Sequence, residues 1–292
     1  MSRPNPSSRP DLYSRITEQI VVQLEAGVRP WNRPWTGGGP VGRPLRHDGT
    51  PYTGINVLLL WSEAALRGYA GASWMTFRQA LALGGCVRRG ERGATVVYAN
   101  QLVRTEADEA GEETERRIPF LKAYTVFNVE QIDGLPERYR PAPPEPVNPS
   151  ARDLAAERFF AATGADVRHG GACAFYAPST DHIQLPPFET FRDPEAYYAT
   201  LGHECVHWTG HPGRLARDFS RSNEAYAREE LVAELGAAFL CADLGLELEP
   251  REDHAAYLGH WLEVLRQERR FLFSAAAHAQ RAVDWLKALQ PQ

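Results

Sequence analysis

The chain has 292 residues, 43% of them hydrophobic and 24% charged, with a formal net charge of −5. No apolar run approaches the ~20 residues of a membrane span, and residues 1–10 are polar with no hydrophobic segment behind them, so neither a membrane protein nor a secretory leader is expected. Cys86, Cys173, Cys205 and Cys241 are scattered with no C-x-x-C pair, which argues against a disulfide framework or a thiolate metal site and suits a reducing cytoplasm. The charge is unevenly spread: residues 1–104 hold 13 Lys+Arg against 6 Asp+Glu, a balance of +7, and the remainder holds 19 against 31, a balance of −12. A basic first part joined to an acidic second part points to two tasks.

In chain order, apolar positions 13, 16, 20, 21 and 24 predict an amphipathic helix stopped by Gly27. A stiff loop, Trp31-Asn-Arg33-Pro-Trp35, follows. Another helix is expected from the Tyr52–Trp61 block, which contains Asn56. Trp74 and Arg78 precede a glycine-spaced basic turn carrying Arg88, Arg89 and Arg92. That turn leads into a strand at residues 94–98. An acidic stretch, residues 106–115, reads as a hairpin tip or loop before a second strand at residues 122–127. The pattern predicts an α+β fold, a small antiparallel sheet with helices on one side. Aromatic rings interleaved with guanidinium groups suit single-stranded nucleic acid, since each base stacked on a ring contributes ~1–3 kcal/mol while arginines follow the phosphates. The candidates are Trp31, Arg33, Trp35, Tyr52, Asn56, Trp74, Arg78, Arg88, Arg89 and Arg92, with a core position as the competing reading for each tryptophan. Five prolines within residues 140–150 mark an extended linker. The expected division is a domain at 1–140, a linker at 141–150 and a second domain at 151–292.

The second domain opens with a predicted helix at residues 151–163 and two short strands around the turn residues Pro178 to Asp181. Asp193 as N-cap and Pro194 at the first helical position start the next helix, which Gly210 and Pro212 end. It carries His203-Glu204-Cys205-Val206-His207. Histidines four apart share one helical face and supply two ligands of a tetrahedral site, while the glutamate between them can take a proton from activated water. A further helix from about Ser222 to Asp243, stopped by Gly245, bears Glu230 and Glu234 one turn apart on an otherwise small or apolar stripe. Glu230 is read as the third ligand of Zn2+ and Glu234 as the carboxylate that orients His203; the reverse assignment stays open. His211 is read as a supporting residue near the site, because a third ligating histidine would be expected six residues after His207, where Gly213 stands. Tyr198, Tyr226 and His211 are candidates for a second oxyanion donor. Two more helices are expected at residues 252–265 and 269–289.

Together these segments resemble a known family. The run from Ile16 to Trp35, the Tyr52–Trp61 block, Trp74-Met-Thr-Phe-Arg-Gln-Ala and Val126-Phe-Asn-Val-Glu-Gln-Ile132 resemble the N-terminal domain of the ArdC antirestriction proteins. His203 to His211, the Glu229–Leu240 block and Ala276 to Leu286 resemble the same family's zincin-like metallopeptidase domain. The resemblance implies a plasmid or mobile-element protein that binds single-stranded DNA and protects incoming DNA from host restriction. The resemblance does not say whether the chain cleaves protein; on the first reading, the glutamate-liganded zinc site cuts or captures a protein partner such as a restriction component, with Glu204 as the base. Two alternatives stand beside it. One is a DNA-occluding protein whose zinc is structural; the other is a cytoplasmic metalloprotease without a DNA function.

Overall fold

The computed structural model describes residues 11–26, 42–107, 113–139, 154–217, 223–246 and 255–291. The first half begins with α1 (Leu12–Glu25), which buries Ile16, Ile20, Val21 and Leu24, the face that the apolar spacing predicts. β1 (Leu45–Arg46) and α2 (Ile55–Arg67) follow, then β2 (Ser73–Met75) and α3 (Phe77–Ala82). A reciprocal capping box starts α3: Thr76 accepts from the Gln79 N–H and the Gln79 side chain accepts from the Thr76 N–H. β3 (Cys86–Val87), β4 (Ala94–Ala107), β5 (Glu113–Asn128) and β6 (Ile132–Asp133) complete this half.

The main sheet runs β1-β2-β5-β4, and β3 pairs with β6. β1 and β2 are parallel, so the sheet is antiparallel except at that step. β4 and β5 form a ribbon much longer than the two short strands the sequence suggests, in register from Ala94↔Val126 to Ala107↔Glu113. Of the acidic stretch, Glu106, Glu113 and Glu115 therefore fall at the far end of the paired ribbon, and residues 108–112 lie outside the described residues. At the sheet edge, Asn56 bonds the backbone of β4 twice, donating from Nδ2 to the Val97 carbonyl (2.8 Å) and accepting the Val97 N–H (2.7 Å). The side chain thus stands in for a neighbouring strand and closes part of an edge that would otherwise be open to pairing.

The second half contains α4 (Leu154–Ala162), β7 (Asp166–His169), β8 (Phe175–Ala177), β9 (His182–Leu185), α5 (Pro194–Thr209), α6 (Asn223–Leu244), α7 (Ala255–Gln267) and α8 (Phe271–Ala288). Its three-stranded sheet has the order β7-β9-β8. Gly245, at φ 73°, ends α6 as expected. One apolar cluster runs from Ile16 on α1 to Leu286 on α8, so the two halves share a core. Polar ties reinforce the joint. The buried guanidinium of Arg43 donates to both carboxylate oxygens of Asp243 (2.6 and 2.9 Å) and to Gln280 (2.5 Å), and the Thr17 hydroxyl donates to the Arg269 carbonyl (2.6 Å). Among the described residues no helix is long and apolar enough to cross a membrane.

Candidate metal centre

The helix that carries the histidines sits at the middle of the second half. Asp193 caps α5 by accepting the Ala196 N–H (2.7 Å), and Pro194 begins the helix. Every residue from Tyr197 to Thr209 is buried. α6 lies across it at a close crossing: a Cβ placed on Gly236 would stand 2.6 Å from Val206 Cγ2. That approach brings the glutamates of α6 over the histidines of α5.

His203, His207 and Glu230 converge, each offering a ligand atom, with all three atoms within 4.8 Å of one another. The two Nε2 atoms are 3.1 Å apart. Glu230 Oε2 is 3.5 Å from His203 Nε2, and Glu230 Oε1 is 3.4 Å from His207 Nε2. A tetrahedron whose ligands lie ~2.0–2.1 Å from its centre has edges of about 3.4 Å. Two imidazoles and a carboxylate with those spacings fit a divalent cation in size and in donor chemistry. Glu234 stands behind His203, 3.7 Å from Nδ1, and Glu204 is buried on α5 beside the group. Cys205 is fully buried, and burial pushes its thiol up, so it offers no thiolate.

His207 has a second carboxylate on its far side. Glu229 Oε1 lies 3.2 Å from Nδ1, and Arg217 grips Glu229 through Nε (3.0 Å to Oε2) and Nη2 (2.8 Å to Oε1). Burial opposes a charge on His207, yet Glu229 and Glu230 outweigh it and raise its pKa to about 10. Burial also works against the charge on Glu230, but His203 and His207 hold it far below the usual carboxylate range. Glu229 is lowered in the same way, by His207 and Arg217 against its own burial. Neither Glu229 nor Arg217 stands out in the sequence as part of a site. The one signal is the adjacent Glu229-Glu230 pair, the second of which lies on an otherwise small or apolar stripe.

The candidate oxyanion donors separate. Tyr198 is completely buried and its hydroxyl donates to Glu157 on α4 (2.9 Å), so it serves the core. His211 lies in the turn after α5, where Nδ1 accepts the Gly213 N–H (3.1 Å). Tyr226 is half exposed, one turn before Glu230 on the same face of α6.

The nucleic-acid candidates are more dispersed. Trp31, Arg33 and Trp35 lie outside the described residues. Trp74 is 1% exposed in the core, so no ring face is left for a base. Tyr52 is likewise buried, with the Arg46 guanidinium over its ring, and Asn56 spends its amide on Val97. In all three, the polar or aromatic character is spent on packing within the fold. Arg78, Arg89 and Arg92 are exposed. Arg88 is exposed too, but it is paired with Glu91 (3.0 Å) and Asp133 (3.4 Å). Among the described residues of the first half, rings that do face solvent are Phe77 on α3 and Tyr98 and Tyr124 on the ribbon. In the sequence the latter two fall within the expected strands.

Fold and site define a metal-binding, zincin-like domain joined to an α+β domain. Residues 154–278 match the family model of a zincin-like metallopeptidase, and residues 10–127 match that of the N-terminal domain of anti-restriction factor ArdC. The chain is similar to the uncharacterised protein y4eC of Sinorhizobium fredii (strain NBRC 101917 / NGR234), at 45% identity over 98% of this chain and 94% of that one. It is also similar to two DNA primases named TraC from Escherichia coli, at 39% and 37% identity, but spans only 27% and 20% of their lengths. Crystal structures of the antirestriction ArdC protein from plasmid R388 match closely. The metal-free form gives a TM-score of 0.83 at 47% identity, over 96% of this chain and 97% of that one. The Mn(II)-bound form gives 0.78 at 45%, over 96% and 98%. The chain belongs to the ArdC antirestriction family.

Proposed function

We propose that this protein binds single-stranded DNA through its N-terminal half, shields incoming plasmid or mobile-element DNA from restriction, and holds Zn2+ on His203, His207 and Glu230. The observation that carries the metal assignment is the convergence of three buried side chains: the two Nε2 atoms are 3.1 Å apart, and the Glu230 carboxylate sets one oxygen 3.4 Å from His207 Nε2 and the other 3.5 Å from His203 Nε2. Zinc, when bound, supplies Lewis acidity, lowering the pKa of water and polarising a carbonyl. Glu204 takes the proton of the attacking water and returns it to the leaving amine of a peptide from a protein partner. Glu234 orients His203. Tyr226 and His211 remain the available donors to the developing oxyanion. The DNA assignment draws on the balance of +7 over residues 1–104, on the exposed rings and arginines, and on the likeness to primases, which work on DNA. The four free cysteines suit the cytoplasm.

One observation favours a second reading, in which the metal only ties α5 to α6. Glu204 is 3% exposed, and His203, His207 and Glu230 are buried with it, whereas peptide cleavage needs access. Glu204→Gln separates the two readings. The variant retains metal in both, but DNA protection in cells is lost if proteolysis underlies it and persists if occupancy does. DNA binding itself is tested by fluorescence anisotropy of a labelled single-stranded oligonucleotide over a salt series with duplex competitor. Binding that survives the duplex and weakens with salt, with a slope of about −0.7 per phosphate contacted, is the expected result. Absence of binding at low salt overturns the DNA reading.

A further inference from the structure

Glu229 and Glu230 are consecutive on α6, yet they reach opposite nitrogens of one ring. Glu230 Oε1 is 3.4 Å from His207 Nε2, and Glu229 Oε1 is 3.2 Å from Nδ1. We infer that Glu229 and Arg217 are a positioning pair that holds His207 with its Nε2 lone pair toward the ion and thereby sets how tightly the centre retains metal. The inference rests on reading His203, His207 and Glu230 as the ligands.

Only one neutral imidazole tautomer can ligate through Nε2, the one with its proton on Nδ1, and a carboxylate at Nδ1 selects it. Glu229 meets that need, but a second buried anion beside Glu230 would be costly without a partner. Arg217 is that partner. Its Nε and Nη2 fork onto Glu229, Nη1 donates to the Thr209 hydroxyl (2.8 Å), and Nη2 also donates to the Val206 carbonyl (2.5 Å). The guanidinium is thus anchored to the last turn of α5, the turn that carries His207. The chain before it bends sharply. Ala216 adopts φ 49°, a left-handed conformation unusual for a residue with a side chain. Its N–H bonds the His211 carbonyl (3.1 Å), and the Arg217 N–H bonds the Gly210 carbonyl (2.9 Å).

A purely structural role, fastening the loop to α6, makes a different prediction. A buried ion pair used only as a fastener can be replaced by apolar residues of similar volume at little cost, and such a replacement would leave metal binding alone. Glu229 Oε1, however, is shared between Arg217 and the imidazole. Removing the pair therefore removes the group that fixes the ring.

The test is zinc affinity by competition with a chromophoric chelator, run on wild type, Glu229→Gln and the double variant Glu229→Leu/Arg217→Met. Thermal unfolding of each metal-free protein is recorded alongside. The inference expects the double variant to fold and to bind zinc about 10- to 100-fold more weakly than wild type, with Glu229→Gln between the two, because an amide oxygen still accepts from Nδ1 but carries no charge. Wild-type affinity in a folded double variant overturns it, and so does wild-type affinity in Glu229→Gln, which decides the matter alone if the double variant does not fold. If wild type itself binds no zinc, the ligand reading has failed. That result is distinct from tight wild-type binding that the variants share.

Discussion

On the proposed ligand set, a proton and a metal ion compete for the His207 ring. In the metal-free protein the two flanking carboxylates outweigh burial and raise its pKa to about 10, above the value of ~6.5 expected in an unfolded chain. A raised histidine pKa contributes stability that is complete below the unfolded value and is lost as pH climbs through the folded one. The metal-free protein should therefore lose thermal stability steadily from about pH 7 to pH 10. If zinc binds there as proposed, it displaces that proton, so affinity should rise over the same window, with about one proton released per ion near neutrality. Calorimetric titration in two buffers of different ionisation enthalpy counts the protons; none released would mean that the ring is already neutral. The histidine spacing and Glu230 can be read from the chain because an i, i+4 pair and an acid on an apolar stripe are periodic signals. Glu229 and Arg217 cannot. One lies a single residue off the stripe, and the other sits in a loop whose course depends on the left-handed bend at Ala216. Trp74 misleads for a related reason: a ring beside arginines looks the same in sequence whether its strand lies inside the sheet or on its surface.

The crossing of α5 and α6 sets the separation of the proposed metal ligands, and one glycine permits it. At Gly236 a Cβ would meet Val206 Cγ2 at 2.6 Å and Cγ1 at 2.9 Å. Valine is β-branched and stiff, so it has little room to move aside. Gly236→Ala should cost roughly 1–3 kcal/mol by overpacking and weaken zinc binding as well, because Val206 precedes His207. Gly202→Ala is the control on the facing helix: its Cβ would meet Leu240 at 3.5 Å, an ordinary contact. That variant should be neutral or gain up to ~1 kcal/mol from helix propensity. Equal losses from the two substitutions would show that the close crossing is not the cause. The β4–β5 ribbon provides a second element-level prediction. Tyr98 and Tyr124 are 48% and 46% exposed, and Lys122 pairs directly with Tyr98 across the strands. Replacing both tyrosines by alanine should weaken single-stranded DNA binding by about 1–3 kcal/mol for each stacked base and leave thermal stability nearly unchanged. Unaltered affinity would move the binding surface elsewhere. The longer helices are legible because burial imposes a period on them, whereas six-residue α3 and its capping box are too short to show one. The ribbon is legible only near its base, where Val96, Val97 and Val126 are buried and give the strands an apolar face.

At the scale of the molecule, the charge balance and the proline-rich segment suggest two independent units, whereas the packing joins them. The apolar cluster continues from α1 and α2 into α7 and α8, and Arg43 carries a buried charge across the joint to Asp243 and Gln280 while its guanidinium lies 4.9 Å from the Phe239 ring centroid. Asp243 and Phe239 belong to α6, the helix that bears Glu229, Glu230 and Glu234. The N-terminal half therefore rests on the same rod that positions the proposed metal ligands. A shared core has a thermodynamic consequence: the halves should unfold in one cooperative transition. An ion bound only by the folded state stabilises whatever unfolds with its site, by about 2.7 kcal/mol at a free concentration one hundred times the dissociation constant. Zinc should accordingly shift the melting of the whole chain. Tryptophan and tyrosine fluorescence from both halves should follow calorimetry to a single midpoint that rises with metal and falls with chelator. Two separate transitions, the first of them indifferent to zinc, would mean that the N-terminal half holds together without the metal-bearing helices. DNA binding could then not be felt at the metal centre through α6.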